Sequence, residues 1–151
     1  MKRGKVLKKI FIYILTLVII LLAIISINIS NKNTENNNIK NFNLQYEVYQ
    51  NKALQGTDVV TLINKAINNN EKNKVPKDEK GLYIENDETS VNITVILYNE
   101  QDEVLAEMET INKVGIQNFI SNFNLTEFEI SEIKYNSLGR VSKIILVQKE
   151  K

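Results

Sequence analysis

Hydrophobic positions follow two regimes along this chain. From Ile10 to Ile29 they are almost continuous, with only Tyr13, Thr16, Ser26 and Asn28 as polar interruptions and no charge. From Ile39 onward they recur at intervals, first of three and four residues, then of two. The first regime predicts a helix that is apolar on every face. Twenty helical residues rise roughly 30 Å, the thickness of a bilayer hydrocarbon core. Fifteen of the twenty are Ile, Leu, Val or Phe. At the usual increments they offer roughly −5 to −9 kcal/mol of insertion free energy. Thr16 and Ser26 can bond back to helix carbonyls, which keeps their cost small. A core helix of a soluble domain would show a single apolar stripe instead. A cleaved signal peptide would have a shorter apolar segment, about 7–15 residues, ending in a small-x-small site. Here the candidate sites put Ile24 or Asn28 where a small residue is wanted. The expectation is an uncleaved transmembrane helix over 10–29.

Residues 30–41 are polar and Asn-rich, a spacer or a hydrophilic continuation of the helix. Ile39, Phe42, Tyr46, Tyr49 and Ala53 then share one helical stripe. Gly56 is expected to end that helix, and Thr57 or Asp58 to cap the next, which buries Val59, Ile63, Ala66 and Ile67. Asn68 to Lys80 is a charged loop with the only proline, Pro76. After it the period changes to two. Leu82–Ile84 reads as a short strand. Residues 91–98 and 103–109 read as an antiparallel hairpin turning at 99–102. Ile116, Phe119, Ile120 and Phe123 mark a third helix, with Gly115 near its start. The last third is a second hairpin around Asn136–Gly139. In its first strand Phe128 and Ile130 share one parity, and Ile133 and Tyr135 the other. A regular strand cannot put both pairs on one face. Either both faces are buried or a bulge near Ser131–Glu132 resets the phase, and the bulge is the favoured reading. The expected fold class is α+β. A transmembrane helix precedes a small domain, 42–151, in which an antiparallel sheet of four to five strands carries about three helices on one face.

Charge adds orientation. Lys2, Arg3, Lys5, Lys8 and Lys9 form a basic leader, 1–9, before the apolar run. Excess Lys and Arg marks the cytoplasmic side, so the leader is expected inside and the C-terminal domain outside the cell membrane. Five of the 19 basic residues lie in this leader, and all 18 acidic ones follow residue 34. The remainder therefore holds 14 basic against 18 acidic side chains, a net charge of −4. That argues against nucleic acid as a partner, which calls for a basic stripe. With 22 Asn, 22 Ile and two Arg, the composition is that of an AT-rich coding sequence, as in low-GC bacteria. There is no Cys, so no disulfide supports the fold.

The chain also lacks His and Trp. That removes His-based acid–base work, Ser–His and Cys–His nucleophiles and the usual zinc ligands. Ser142 and Lys143 are adjacent, but on a strand they point to opposite faces. The acidic groups Glu85, Asp87 and Glu88, and Asp102 with Glu103, are oxygen donors without the spacing of a calcium loop. Five single glycines make no phosphate loop. Tyr46, Tyr49, Tyr83, Tyr98 and Tyr135 remain, as recognition residues or as the rim of a core. No catalytic, cofactor-binding or metal-ligating residue is assigned, no cofactor is expected, and the chain reads as a non-enzyme.

The layout resembles that of type IV pilins and pseudopilins, in which a short basic leader and an N-terminal hydrophobic helix precede an exported domain with an antiparallel sheet. The family's leader ends in Gly, and Glu stands fifth in the apolar run that follows. Here Gly4 is followed by Lys5-Val-Leu-Lys8-Lys9. Lys9 stands at the glutamate's place, and no residue role carries over. The expected function is that of a single-pass membrane-anchored extracytoplasmic domain acting through protein–protein contacts in the cell envelope, with an envelope partner or with itself. The alternatives are a pilin-like or secretion-apparatus subunit, and a ligand-binding or sensory module.

Overall fold

Between Gly4 and Gly56 the sequence has neither glycine nor proline, and nothing in it stops a helix. The computed structural model, which describes residues 2–98 and 103–149, accordingly shows one helix, α1, over Lys2–Glu47. The apolar run and the first domain helix are one element, and residues 30–41 are the hydrophilic continuation of the helix that joins them. Asn51 at φ 58° follows its end, in the left-handed region that Asn tolerates. Ala53 and Tyr49 therefore lie beyond the helix that their spacing suggested.

The chain divides at Ile39/Lys40 into two compact units. The first is helix alone. It is long and apolar enough to cross a membrane. Leu17, Leu22 and Ile27 are 61%, 58% and 59% exposed, so the run is not a core helix. The Thr16 and Ser26 hydroxyls donate to the carbonyls of Tyr13 and Leu22, each at 2.9 Å, as expected of polar groups in an apolar helix.

The second unit is α+β. After the last turns of α1 come α2 (Gly56–Lys72), β1 (Asn92–Tyr98), β2 (Glu103–Glu107), α3 (Met108–Val114), α4 (Ile116–Phe123), β3 (Phe128–Tyr135) and β4 (Val141–Gln148). Gly56 opens α2 and does not close α1. A Cβ there would meet the Phe123 carbonyl oxygen at 2.6 Å, so glycine lets α2 start against the end of α4. The N-cap of α2 is Gln55, ahead of the expected Thr57 or Asp58; Asp58 stands at the third helical position, its carboxylate accepting from the Gln55 N–H at 3.0 Å. Leu82–Ile84 forms no strand of the sheet; Tyr83 makes a single bridge to Lys77. The turn expected at 99–102 lies outside the described residues. β2 stops at Glu107 because Met108 and Ile111, at helical spacing, are both buried by α3. Gly115, at φ 115°, separates α3 from α4.

The sheet has four strands in the order β2-β1-β4-β3. Both hairpins are antiparallel, as expected, but the central pair β1–β4 is parallel, which makes the sheet mixed. β1 and β4 are the two most apolar strands, and placing both in the middle buries them best. In β3 the register passes from Ile130↔Leu146 to Glu132↔Ile145, so Ser131 is a bulge. It puts Phe128, Ile130 and Ile133 on one face, the favoured of the two readings of the parity clash. A second shift, from Lys134↔Lys143 to Tyr135↔Val141, leaves Ser142 as a bulge on β4 and brings Val141 into the core. Each bulge serine donates its hydroxyl across the hairpin, Ser131 to the Ile145 carbonyl at 3.2 Å and Ser142 to that of Lys134 at 3.3 Å. The core lies between this face and the helices. Ile93, Val95, Ile144, Leu146 and Phe128 pack with Val59, Leu62 and Ile63 of α2, Met108 of α3 and Phe119 of α4.

Candidate functional site

The other face of the sheet is different. The register aligns Leu105, Ile96, Val147 and Glu129 in a row across all four strands. The next row is Glu107, Thr94, Ile145 and Glu132. Leu105 is 63% exposed and Tyr98 beside it is also exposed. A half-buried apolar centre thus lies between Glu107, which accepts from the Thr94 hydroxyl, and Glu129 and Glu132, which pair with Lys149 and Lys134. β2, at the free edge, presents unpaired backbone groups next to Leu105.

The tyrosines do not gather. Tyr46 is 1% exposed in the core, and burial pushes its hydroxyl up to about 12. Tyr49 lies beside Lys65, whose ammonium is 4.8 Å from the ring centroid. Tyr135 donates to the Glu47 carboxylate at 2.8 Å. Tyr83 is buried and its hydroxyl has no hydrogen-bond partner. It lines a groove of about 790 Å³ with Lys77, Lys80, Lys113 and Glu109. Glu109 is held there by the Tyr83 N–H at 2.8 Å.

The acidic loop after Tyr83 serves the fold. Asp87 accepts from the Ser137 N–H at 3.0 Å and from its hydroxyl, and these bonds hold its carboxyl below the usual range. Glu85 pairs with Lys143 at 3.2 Å. Burial pushes the Glu85 carboxyl up, but bonds from Lys143 and Asn92 outweigh it and hold it low. Ser142 and Lys143 face different partners, the Lys134 carbonyl and Glu85. Asp102 lies outside the described residues. Among the described residues no three acidic side chains gather as metal ligands.

Sequence reasoning passed over Arg140, the one arginine beyond the leader. Asn43, on the last turns of α1, clamps its neighbours. The Asn43 amide donates to the Gly139 carbonyl at 2.8 Å, and its oxygen accepts from the Val141 N–H at 2.9 Å. The Arg140 N–H donates to the Asn136 side chain at 2.9 Å. The guanidinium lies on the Phe42 ring, 3.7 Å from its centroid, and donates from Nη2 to Asn69 Oδ1 at 2.8 Å. Asn69 in turn donates to the Thr89 carbonyl at 2.7 Å. Among the described residues no carboxylate pairs with Arg140, and its Nε is buried without a partner. With Lys65, Lys72, Asn68, Asn73 and Tyr46 it lines a groove of about 490 Å³. The signal that could have found it was the scarcity of arginine beside a turn.

The chain matches no protein-family model, and neither a curated protein nor a solved structure matches it.

Proposed function

We propose that this chain is a non-enzymatic, single-pass membrane-anchored protein of a bacterial cell envelope. The leader lies in the cytoplasm, residues 10–29 span the membrane, and the folded second unit works outside through protein–protein contacts. The observation that carries the contact reading is the apolar row on the open sheet face, exposed at Leu105 and half-buried at Ile96 and Val147. Leu105, Ile96 and Val147 form a strip next to an unpaired edge strand, with Glu103, Glu107, Glu129 and Glu132 around it. A partner for this face adds an extended segment to the β2 edge, apolar where it meets Leu105. The charge distribution and the unburied α1 support the topology.

The absence of native cysteine makes both parts testable. A single cysteine placed at Lys52 is expected to react with a membrane-impermeant maleimide on intact cells, and one at Lys5 only after lysis. The reverse pattern would refute the topology. A photo-crosslinking residue at Leu105 is expected to trap one discrete species, and the same residue at Lys52 to trap none. Equal, diffuse labelling at both positions would refute the contact face. A second reading, a pilin-like or secretion-apparatus subunit, is favoured by the unbroken α1 over Lys2–Glu47. It requires a processed N-terminus, and mass spectrometry finding Met1 intact would end it.

A further inference from the structure

We infer that the groove around Arg140 is a binding site for a phosphate group. The unit that contains it is acidic overall, with four more carboxylates than cations beyond the leader. Yet the lining brings together Lys65, Lys72 and Arg140 and includes no acidic residue. Three cations without a counter-ion repel one another and stabilise nothing by themselves. Two of them are held by neutral groups. The Lys65 ammonium donates to the Gln45 carbonyl at 3.1 Å and lies over the Tyr49 ring. Arg140 is stacked on Phe42 and held by Asn69. Burial lowers the Arg140 pKa, the direction expected of a cation without an anion beside it, while the guanidinium stays charged at neutral pH.

Preorganisation is the second argument. The arginine backbone is fixed on both sides by Asn43 and from within the turn by Asn136. Its side chain is fixed by ring stacking and by an amide that is itself anchored. A guanidinium held this way, with Nη2 engaged by Asn69 and Nε buried, meets an oxyanion as an oriented charge with little further loss of freedom. The lining favours phosphate over a single carboxylate. Its charge excess suits a dianion, and lysine ammonium groups serve phosphate as point charges. Asn68 and Gln45 supply further amide groups around it. The inference does not depend on the partner surface of the sheet, which is on other residues. Phosphate of this kind can come from a soluble monoester or from a lipid headgroup.

The full-length protein in maltoside micelles, which contain no phosphate, is titrated calorimetrically with inorganic phosphate and with glycerol 3-phosphate. In parallel it is mixed with vesicles of phosphatidylcholine with and without phosphatidate. Saturable binding of the soluble anions identifies a free ligand. Retention only on phosphatidate vesicles identifies a headgroup. Arg140→Lys keeps the charge and loses the fork and the stacking, and is expected to weaken binding about tenfold or more, the worth of one charge-assisted hydrogen bond. Lys72→Gln, at an exposed position of α2, is expected to weaken it several-fold and to reduce its salt dependence, with an unchanged melting temperature. If Arg140→Lys does not fold, Lys72→Gln decides. Wild-type protein that binds neither soluble anion nor phosphatidate vesicles overturns the inference. So does a Lys72→Gln variant that binds as tightly as wild type.

Discussion

Tyr46 illustrates how a residue type legible in sequence takes on a role that sequence does not state. Its place on the Phe42–Tyr46–Tyr49 stripe was readable. That it would be sealed in the core, with Tyr98 and Tyr135 left exposed, depends on where α1 stops and how the sheet pairs. The burial has a pH signature. The Tyr46 hydroxyl is raised from 10.0 to about 12, chiefly by desolvation, with Arg140 opposing. A folded-state pKa above the unfolded one means that the unfolded chain loses its proton first. The contribution is complete below pH 10 and is lost as pH rises toward 12. Denaturant melts are expected to show stability falling by about 1.4 kcal/mol per pH unit in that window, attributable to this one group. Tyr46→Phe should flatten that component. Arg140 is the opposite case, since composition showed its scarcity but nothing local showed that Asn43, almost a hundred positions away, would hold its neighbours.

At the scale of elements, the sequence showed where regularity had to fail more clearly than where elements ended. The parity clash between Phe128/Ile130 and Ile133/Tyr135 left either a strand buried on both faces or a bulge near Ser131–Glu132, and the register shift is there. The Ser142 bulge was hidden: Val141 and Ile144 are of opposite parity, but Ile144 to Val147 are apolar at both parities and read as a strand buried on both faces. Met108 fitted both the alternation before it and the helical spacing to Ile111, and burial in α3 decided between them. Deleting Ser131 restores regular pairing and turns either Phe128 and Ile130 or Ile133 out of the core. The variant is expected to lose cooperative thermal unfolding by circular dichroism. Ser131→Ala keeps the extra residue and loses only its bond to the Ile145 carbonyl. Its expected cost is about 1 kcal/mol or less.

For the whole molecule, the fold class, the apolar helix and both hairpins were readable from hydrophobic spacing alone. The parallel central pair was not, since neither strand's own pattern names its neighbour. The proposed orientation rests on the basic leader. Replacing Lys5, Lys8 and Lys9 by Gln is expected to produce a mixed population in the cysteine-labelling experiment, with the Lys52 position partly shielded on intact cells. The parallel pairing also sets a timetable. Thr94 meets Ile145, and Ile96 meets Val147, so the centre of the sheet joins segments about fifty residues apart. A chain made from its N-terminus has α1, α2 and the first hairpin complete well before β4 exists. Until β4 arrives, β1 has one edge unpaired and Ile93 and Val95 lack their neighbours Ile144 and Leu146. Such long-range closure is slow compared with helix formation. The nascent domain therefore passes through a stage with an open, apolar strand edge, and the arrival of β4 ends it.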